Sequence, residues 1–216
     1  MRTEARGTAL LNHVPVSRYV CFLTLAALGL AWDLYSKSVV FHSLGAPGGA
    51  SAWTWPQNWG WDNLAPIVQF QLHTNFNAGA LWGMGQGKSW LFASLSVGAA
   101  CVILYWLFIR KGAVSWWFTV ALGFVMAGIL GNLYDRLGLH GWVDENQAPV
   151  YAVRDFLHFW FFAGTPAHFD FAIFNFADSF LVTGAIMLIV HSLFMQPAEK
   201  STSPAPALSA KTPPAT

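Results

Sequence analysis

The sequence predicts an all-α membrane protein with four transmembrane helices and a small extracytoplasmic β-element. Its 216 residues are 55% hydrophobic and only 10% charged, whereas a soluble domain carries about 25% charged residues. Four apolar segments approach the roughly 20 residues that a helix needs to cross a bilayer. Between the first two segments, apolar and polar residues alternate over 67–73, which is typical of a half-buried strand.

The four segments cover residues 19–41, 89–109, 113–134 and about 169–195. The second and third carry no formal charge, the first contains Asp33 and Lys37, and the fourth contains Asp170 and Asp178. No small-residue cleavage pattern follows the apolar start of the first segment, so we expect a retained helix rather than a signal peptide. Residues 1–18 are expected to form a cytoplasmic tail. We expect residues 196–216, which are rich in Pro, Ala, Ser and Thr, to form a disordered cytoplasmic tail.

Basic residues are concentrated at one end of the predicted spans. They precede the first span, form the turn between the second and third, and follow the fourth: Arg2, Arg6, Arg18, Arg110, Lys111, Lys200 and Lys211. The positive-inside rule therefore predicts that both termini and the 110–112 turn are cytoplasmic, and that the loops of about 42–88 and 135–168 face outward.

In this topology every aspartate lies in an outer loop or in the outer part of a span. They are Asp33, Asp62, Asp135, Asp144, Asp155, Asp170 and Asp178. A carboxylate within the bilayer costs roughly 2.5–3.5 kcal/mol on insertion scales, so it is a functional-site hypothesis by default. Four separate segments deliver carboxylates to one depth, whereas a proton relay would distribute them through the membrane. The pattern predicts a site near the outer face.

Some of these polar residues also have a purely structural interpretation. Asp33 and Lys37 are four residues apart on one helix face, and a structural ion pair with the lysine extending to the interface is favoured for them. Asp135 and Arg136, at the end of the third span, are compatible with simple interfacial anchoring. An isolated aspartate can equally cap a helix or pair with a base.

Small residues and amides surround the predicted site. Asn77 offers both a donor and an acceptor, although a plain turn is the simpler interpretation. Gly128 and Gly131 in the third span permit close helix contact, and Asn132 follows them at the outer end of that span.

Other classes of function receive little support from the composition. The net charge is +1 and no basic patch is present, so nucleic acid is not an expected partner. Cys21 and Cys101 both fall within predicted spans, where they are expected to pack as small apolar residues rather than to form a disulfide or a metal site.

Five short motifs occur in order along the chain and on the expected spans. They are D-x-x-[ST]-K at 33–37, N-x-G-A at 77–80, G-N-x-x-D-R at 131–136, V-x-D-F at 153–156 and F-N-x-A-D-S at 174–179. Each motif is weak alone, but together they closely resemble signal peptidase II, the bacterial lipoprotein signal peptidase. The resemblance covers roughly residues 19–195.

The resemblance implies a four-helix membrane peptidase domain over 19–195, with a small outer β-cradle and two catalytic aspartates that match Asp155 and Asp178. The implied substrate is a prolipoprotein that carries diacylglycerol on its lipobox cysteine and is cut on the N-terminal side of that cysteine. Further residues would hold the substrate backbone, order the two acids or support them: Asn77, Asn132, Arg136, Asn175, Asp33, Lys37, Asp135 and Gly131.

The chain departs from the usual family pattern at Leu34, Trp82, Ala127 and Arg154, and the 137–150 insert and the 42–66 loop are larger than usual. None of these changes removes a proposed catalytic group. Arg154 precedes Asp155, however, and leaves the charge balance of the two acids open if its side chain turns inward.

Two neighbouring carboxylates suit peptide hydrolysis because they cannot both ionise cheaply. One keeps a proton while the other activates water, so no metal or organic cofactor is expected. The chain is expected to act as a monomer in the bacterial cytoplasmic membrane, with membrane lipid and the lipid-modified substrate as its partners.

Two alternatives stay open from the sequence. A metal-dependent peptidase would use His140, His158 and His168, although no H-E-x-x-H motif is present. A non-enzymatic transporter or channel subunit with an acidic outer vestibule is the second. The absence of a visible internal repeat argues against it.

Overall fold

The computed structural model describes residues 14–48, 54–56, 60, 62–79, 85, 87–113 and 115–194. Four helices in this part of the chain are long and apolar enough to cross a membrane. They are α1 (Val16–Leu44), α2 (Ser89–Leu104, continued by a π-helical turn over Tyr105–Ile109), α3 (Trp116–Arg136) and α4 (Phe176–Phe194). The predicted four-helix membrane class is confirmed. The predicted tail 196–216 and most of the tail 1–18 lie outside the described residues.

Helix α3 is the centre of the bundle. In its most apolar 18-residue window 56% of the residues are buried, against 22%, 17% and 11% for α1, α2 and α4, and it packs against all three other helices. At Gly128 a Cβ atom would collide with the carbonyl oxygen of Ala177 and with the side chain of Leu181. The glycine therefore permits the close contact that brings the first turn of α4 against the C-terminal part of α3.

The N-terminal ends of α1 and α3 lie together at the opposite end of the bundle. Ser115 caps α3, its Oγ accepting a hydrogen bond of 3.2 Å from the backbone N–H of Phe118. Arg18 donates a hydrogen bond of 2.7 Å to the carbonyl oxygen of Ala113, and its guanidinium lies 5.6 Å from the ring centre of Trp116. The basic start of α1 and the turn before α3 thus share one end of the molecule.

In the described part of the chain, a four-stranded antiparallel sheet covers the other end. Its strands, in spatial and chain order, are β1 (Thr54–Trp55), β2 (Val68–Asn77), β3 (Val153–Phe161) and β4 (Phe169–Asp170). In the pairing of β2 with β3 the register shifts between Leu72 and Asn75, so β2 carries one extra residue there. Such a bulge redirects the side chains that follow it, and here the strand then runs on to Asn77.

The sheet is attached to the helices by an aromatic cluster. Val40 and Phe41 of α1 and Phe156 of β3 form its buried core. Trp142, from the 137–150 insert, packs edge-on against Phe41 with ring centres 5.9 Å apart. The insert is thus part of the packed structure, and an isolated bridge between Val143 and Pro149 closes it.

Four of the predicted boundaries differ from those in the structure. The fourth span begins at Phe176 rather than near 169, because the apolar residues before it form β4 and the connection to the helix. The alternation over 67–73 marks only part of β2, which extends to Asn77. Helices α1 and α3 also extend a few residues into the predicted loops 42–88 and 135–168, as far as Leu44 and Arg136.

Candidate active site

Asp155 and Asp178 line one cavity where the sheet meets the helices. Asp155 comes from β3 and Asp178 from the first turn of α4. The cavity has a volume of about 280 Å³, and its wall also contains Asn77, Gly79, Asn132 and Arg136 together with apolar residues of β3, α4 and the segment before α4: Val153, Ile173, Leu181 and Val182. Two carboxyl groups from separate elements therefore share one small chamber.

Asp155 is held by two side-chain amides. Its Oδ1 accepts a hydrogen bond of 2.6 Å from Asn175 Nδ2, and its Oδ2 accepts one of 3.0 Å from Asn77 Nδ2. Only 1% of its surface is exposed. Burial, and then the negative charge of Asp178, raise the pKa of Asp155 to about 8, although both amides favour the ionised form. The carboxyl of Asp155 therefore retains a proton near neutral pH.

Asp178 is fixed by the N-terminus of its own helix. The backbone N–H of Asp178 donates to Asn175 Oδ1 at 3.0 Å, and the backbone N–H of Asn175 donates to Asp178 Oδ2 at 3.2 Å. This reciprocal pair is the geometry of a capping box, which satisfies two free N–H groups at a helix start. A negative charge in the first turn is also favoured by the helix dipole.

Asn132 of α3 connects the two acids. Its Nδ2 donates to Asp178 Oδ1 at 2.7 Å, and its Oδ1 accepts a hydrogen bond of 3.1 Å from Asn175 Nδ2, the amide that also holds Asp155. Lys37 Nζ lies 3.3 Å from the same Oδ1. The side chains of three elements therefore form one hydrogen-bonded chain from β3 to α4 through α3.

Behind these amides lies a buried network of four charges. Lys37 Nζ is 2.7 Å from Asp33 Oδ2 and 3.0 Å from Asp135 Oδ2, and none of the three side chains is exposed. Asp135 Oδ1 accepts hydrogen bonds from Arg154 Nε at 3.0 Å and from Arg154 Nη2 at 2.8 Å. Asp33 Oδ1 accepts a further bond of 2.8 Å from the backbone N–H of Ala177. The two acids and two bases balance, as buried charges must.

This network corrects two structural expectations. The ion pair of Asp33 and Lys37 is present, but the lysine does not extend to the interface, because its amine also binds Asp135. Asp135 is fully buried and is therefore not an interfacial anchor. Gly131 makes room for the network, since a Cβ there would collide with the carboxylate of Asp33 and touch Ala177.

Arg154, the departure from the family pattern, turns away from the cavity. It precedes Asp155 on β3, so the two side chains leave opposite faces of the strand. Its guanidinium binds Asp135 and lies 6.0 Å from the ring centre of Phe41. The strand alternation next to Asp155 was the sequence signal that Arg154 points away from the two acids.

Arg136 stands at the edge of the cavity. Its Nη2 lies 3.5 Å from the carbonyl oxygen of Gly79, and its guanidinium lies 5.4 Å from the ring centre of Phe92. Asn77 Oδ1 accepts a hydrogen bond of 3.0 Å from the N–H of Gly79, which orders the same turn. Ala80 and Trp82, in the motif that follows, lie outside the described residues.

All ten predicted site residues thus lie in the cavity wall or in the layer of contacts behind it. Within the described part of the chain, no group of three or more His, Cys, Asp or Glu side chains is arranged to hold a metal ion. The histidines of the metal alternative are dispersed. His158 Nε2 lies 2.6 Å from Asp170 Oδ1, and His140 Nδ1 accepts from the N–H of Trp142 at 3.0 Å. Burial lowers the pKa of His140, which keeps it neutral.

The fold and the site define a multi-pass membrane protein with a pair of carboxyl groups in one cavity at one end of its helices. A sequence profile of signal peptidase (SPase) II matches residues 25–194. The chain is 40% identical over 195 residues to a lipoprotein signal peptidase of Rhodopirellula baltica, covering 88% of this chain and 77% of that relative. A lipoprotein signal peptidase of Geobacillus thermodenitrificans is 34% identical, covering 85% and 96%.

A solved structure of a bacterial membrane enzyme, determined by the in meso method at 2.3 Å resolution, has the same fold. It superposes with a TM-score of 0.60 at 24% identity, covering 84% of this chain and 92% of that one. The chain belongs to the signal peptidase II family. It is therefore a peptidase, and the transporter or channel alternative is wrong.

Proposed function

We propose that this peptidase removes signal peptides from diacylglyceryl-modified prolipoproteins, cutting on the N-terminal side of the lipidated cysteine with Asp155 and Asp178 as its catalytic pair. The observation that carries the proposal is the convergence of these two carboxyls on one cavity of about 280 Å³. The names of the relatives, lipoprotein signal peptidases, supply the substrate class.

The chemistry follows from the shared proton of the pair. Burial and the charge of Asp178 raise the pKa of Asp155 to about 8, so the pair holds one proton at neutral pH. The ionised carboxylate removes a proton from water, and the water oxygen attacks the carbonyl carbon before the cysteine. The protonated carboxyl donates a hydrogen bond to the carbonyl oxygen. When the C–N bond breaks, a proton passes to the leaving amine of the cysteine.

The amides keep both acids in place during this sequence. Asn175 contacts both carboxyl groups, through its side chain to Asp155 and through its capping bonds to Asp178. Because the donors are held before the substrate arrives, little reorganisation is required when charge moves in the transition state. Arg136, at the edge of the cavity, is placed to bind a carbonyl of the substrate backbone.

The proposed location is the bacterial cytoplasmic membrane, with both termini in the cytoplasm and the site near the outer face. Asp33 lies 17 residues after the start of α1, or about 26 Å along the helix at 1.5 Å per residue. The basic residues around Arg18 and Ala113 occupy the opposite end of the bundle. The lipid anchor of the substrate can stay in the membrane while water reaches the acids. We further propose that the domain over 19–195 acts as a monomer, without metal or cofactor.

The test is cleavage of a diacylglyceryl-modified prolipoprotein by the purified protein in detergent with a chelator present. Asp155→Asn and Asp178→Asn are each expected to lower kcat by about 10²–10⁴-fold, as for other general acid–base residues. Asp144→Asn is the matched control. Asp144 is exposed and accepts hydrogen bonds from the N–H groups of Asn146 and Ala148 through Oδ1 alone, which asparagine retains. Full activity of either site variant would refute the catalytic pair, and loss of activity on chelation would favour a metal.

A further inference from the structure

The guanidinium of Arg18 lies at the end of the bundle opposite the sheet, and one of its edges has no partner. Its Nη1 donates a hydrogen bond of 2.7 Å to the carbonyl oxygen of Ala113, which is its only hydrogen bond to a described residue. Its Nε is buried and has no partner among those residues. The N–H groups of Nε and Nη2 point to the same side of a guanidinium, so an edge with two donors is left free.

Arg154 shows what such an edge binds in this protein. Its Nε and Nη2 both donate to Asp135 Oδ1, at 3.0 and 2.8 Å. This side-on geometry matches the planar fork of arginine to a carboxylate or a phosphate. Because buried donors normally have an acceptor, the free edge of Arg18 indicates a bound anion.

No carboxylate of the described helices is near enough to fill this edge. Their acids are Asp33, Asp135 and Asp178, and all three belong to the active-site cavity or to the buried network beside it. Along α1, Asp33 lies 15 residues beyond Arg18, or about 22 Å at 1.5 Å per residue. The anion therefore comes from outside these helices.

Other groups at this end of the bundle add positive potential. Lys111 and Arg110 lie two and three residues before the carbonyl that Arg18 binds, at most about 7 and 11 Å along the chain, and both are exposed. Charges interact over about 8 Å at physiological ionic strength, so these bases act on one region. Helices α1 and α3 pack side by side and begin at this end, at Val16 and Trp116, so the positive ends of their dipoles add to it.

The aromatic residues around the free edge place it at the headgroups of a bilayer. Tyr105, Trp106 and Trp116 are 54%, 48% and 51% exposed at this end of the helices. Tyr and Trp side chains are enriched at the depth where hydrocarbon meets headgroups. The guanidinium lies 5.6 Å from the ring centre of Trp116. The anion that is abundant at this depth is the phosphate of a phospholipid.

We propose that Arg18, Arg110, Lys111 and Trp116 form a binding site for an anionic phospholipid, whose phosphate oxygens accept hydrogen bonds from Nε and Nη2 of Arg18. An ionised phosphate accepts hydrogen bonds and donates none, which matches two free donors. A zwitterionic lipid also carries a cationic group, and no carboxylate of the described helices is placed to bind it. The site therefore prefers a headgroup such as phosphatidylglycerol. It lies apart from the acid pair, and the proposal does not depend on the proposed function.

The first test measures lipid affinity by native mass spectrometry of the purified full chain in detergent. Wild type is expected to bind phosphatidylglycerol about tenfold more tightly than phosphatidylcholine. Arg18→Lys keeps the charge but loses the fork, and it is expected to weaken phosphatidylglycerol binding about tenfold. Lys88→Gln removes an exposed base at the opposite end and should have no effect. Equal affinity of wild type for the two lipids, or of wild type and Arg18→Lys for phosphatidylglycerol, would overturn the proposal.

A second measurement locates the lipid without any substitution. Phosphatidylglycerol with a photoactivatable headgroup is bound to wild type and irradiated, and the labelled residues are identified by mass spectrometry. Label is expected on Trp116 and its neighbours. The comparison residues are Trp90 and Tyr151, which are 69% and 55% exposed at the active-site end and should stay unlabelled. Equal labelling of the two ends would contradict the proposed site.

Two other occupants of the edge give different results. If inorganic phosphate at millimolar concentration displaces the bound phosphatidylglycerol, the site binds a free anion and the proposal fails. Glu4 is the only acid that precedes α1 in the sequence. If wild type shows no preference for phosphatidylglycerol and Glu4→Gln creates one, the carboxylate of Glu4 fills the edge and the proposal fails as well.

Discussion

Asp155→Asn is expected to stabilise the protein at neutral pH, and the gain is expected to disappear in mild acid. An acid whose pKa is raised by folding binds its proton more tightly in the folded state. Its contribution to stability is therefore complete below the ordinary aspartate pKa of 3.8 and is lost as the pH rises towards the folded value of about 8. Asparagine does not titrate, so the variant avoids this loss.

The size of the effect follows from the raised pKa and the two amide contacts. A shift of one pH unit in a pKa corresponds to about 1.4 kcal/mol, so proton uptake by Asp155 at pH 7 costs roughly 4 kcal/mol of folding free energy. The variant loses one of two accepted hydrogen bonds, since its amide nitrogen must face Asn77 or Asn175, at about 1–3 kcal/mol. The net gain at pH 7 is about 1–3 kcal/mol.

A more informative quantity is the change with pH in the stability difference between variant and wild type. The cost of the lost hydrogen bond is the same at both pH values, so it cancels. Between pH 5 and pH 7.5 the advantage of Asp155→Asn over wild type should grow by about 3 kcal/mol, or about 6–12 °C in apparent Tm for a chain of this size. The assay is thermal unfolding in detergent at fixed scan rate, with Asp144→Asn, a substitution of an exposed aspartate, as the control. A Tm difference that is constant with pH, or larger at pH 5, would refute the reasoning.

Two further predictions concern the buried charges and the orientation. Measured by denaturant unfolding, Lys37→Met should lower the unfolding free energy by about 3–5 kcal/mol because it leaves a buried carboxylate unpaired. Adding Asp33→Asn should recover part of this loss. A Lys37→Met variant as stable as wild type would contradict the buried network. The orientation is tested with Asn146→Cys, at an exposed position, after Cys21 and Cys101 have been replaced by alanine. This cysteine should react with a membrane-impermeant maleimide in intact spheroplasts, and labelling only after lysis would reverse the proposed topology.

Hydropathy alone predicted the helices well where nothing competes with it. The second span has the same limits, 89–109, in the sequence and in the structure, because no charged residue interrupts it. The fourth span was placed too early, since the aromatic residues from Phe169 to Phe174 are apolar enough for a helix but pair as strand and bridge. The reciprocal capping bonds of Asn175 and Asp178 mark the true start. In the sequence, these capping bonds are indicated only by an N-x-x-D pattern.

The site residues could be selected from the sequence, but the partners of each could not. Helix periodicity paired Lys37 with Asp33, four residues away, and this pairing is correct. The second partner, Asp135, lies on another helix, and only the close packing of α1 on α3 brings it within 3.0 Å. Arg154 could not be assigned for the same reason, because its partner depends on how the sheet lies against α3.

The charges around the cavity explain why the acid pair carries one proton. Seven charged side chains of the described residues form the cavity wall or the network behind it, four acids and three bases: Asp33, Asp135, Asp155, Asp178, Lys37, Arg154 and Arg136. Lys37 and Arg154 neutralise the two acids of the network, which leaves two carboxyls facing one guanidinium. With one proton on the pair the whole assembly is neutral, and ionising both carboxyls would leave a net negative charge in a buried site. The form that hydrolysis requires, one carboxylate beside one carboxylic acid, is therefore also the form that this environment favours at neutral pH.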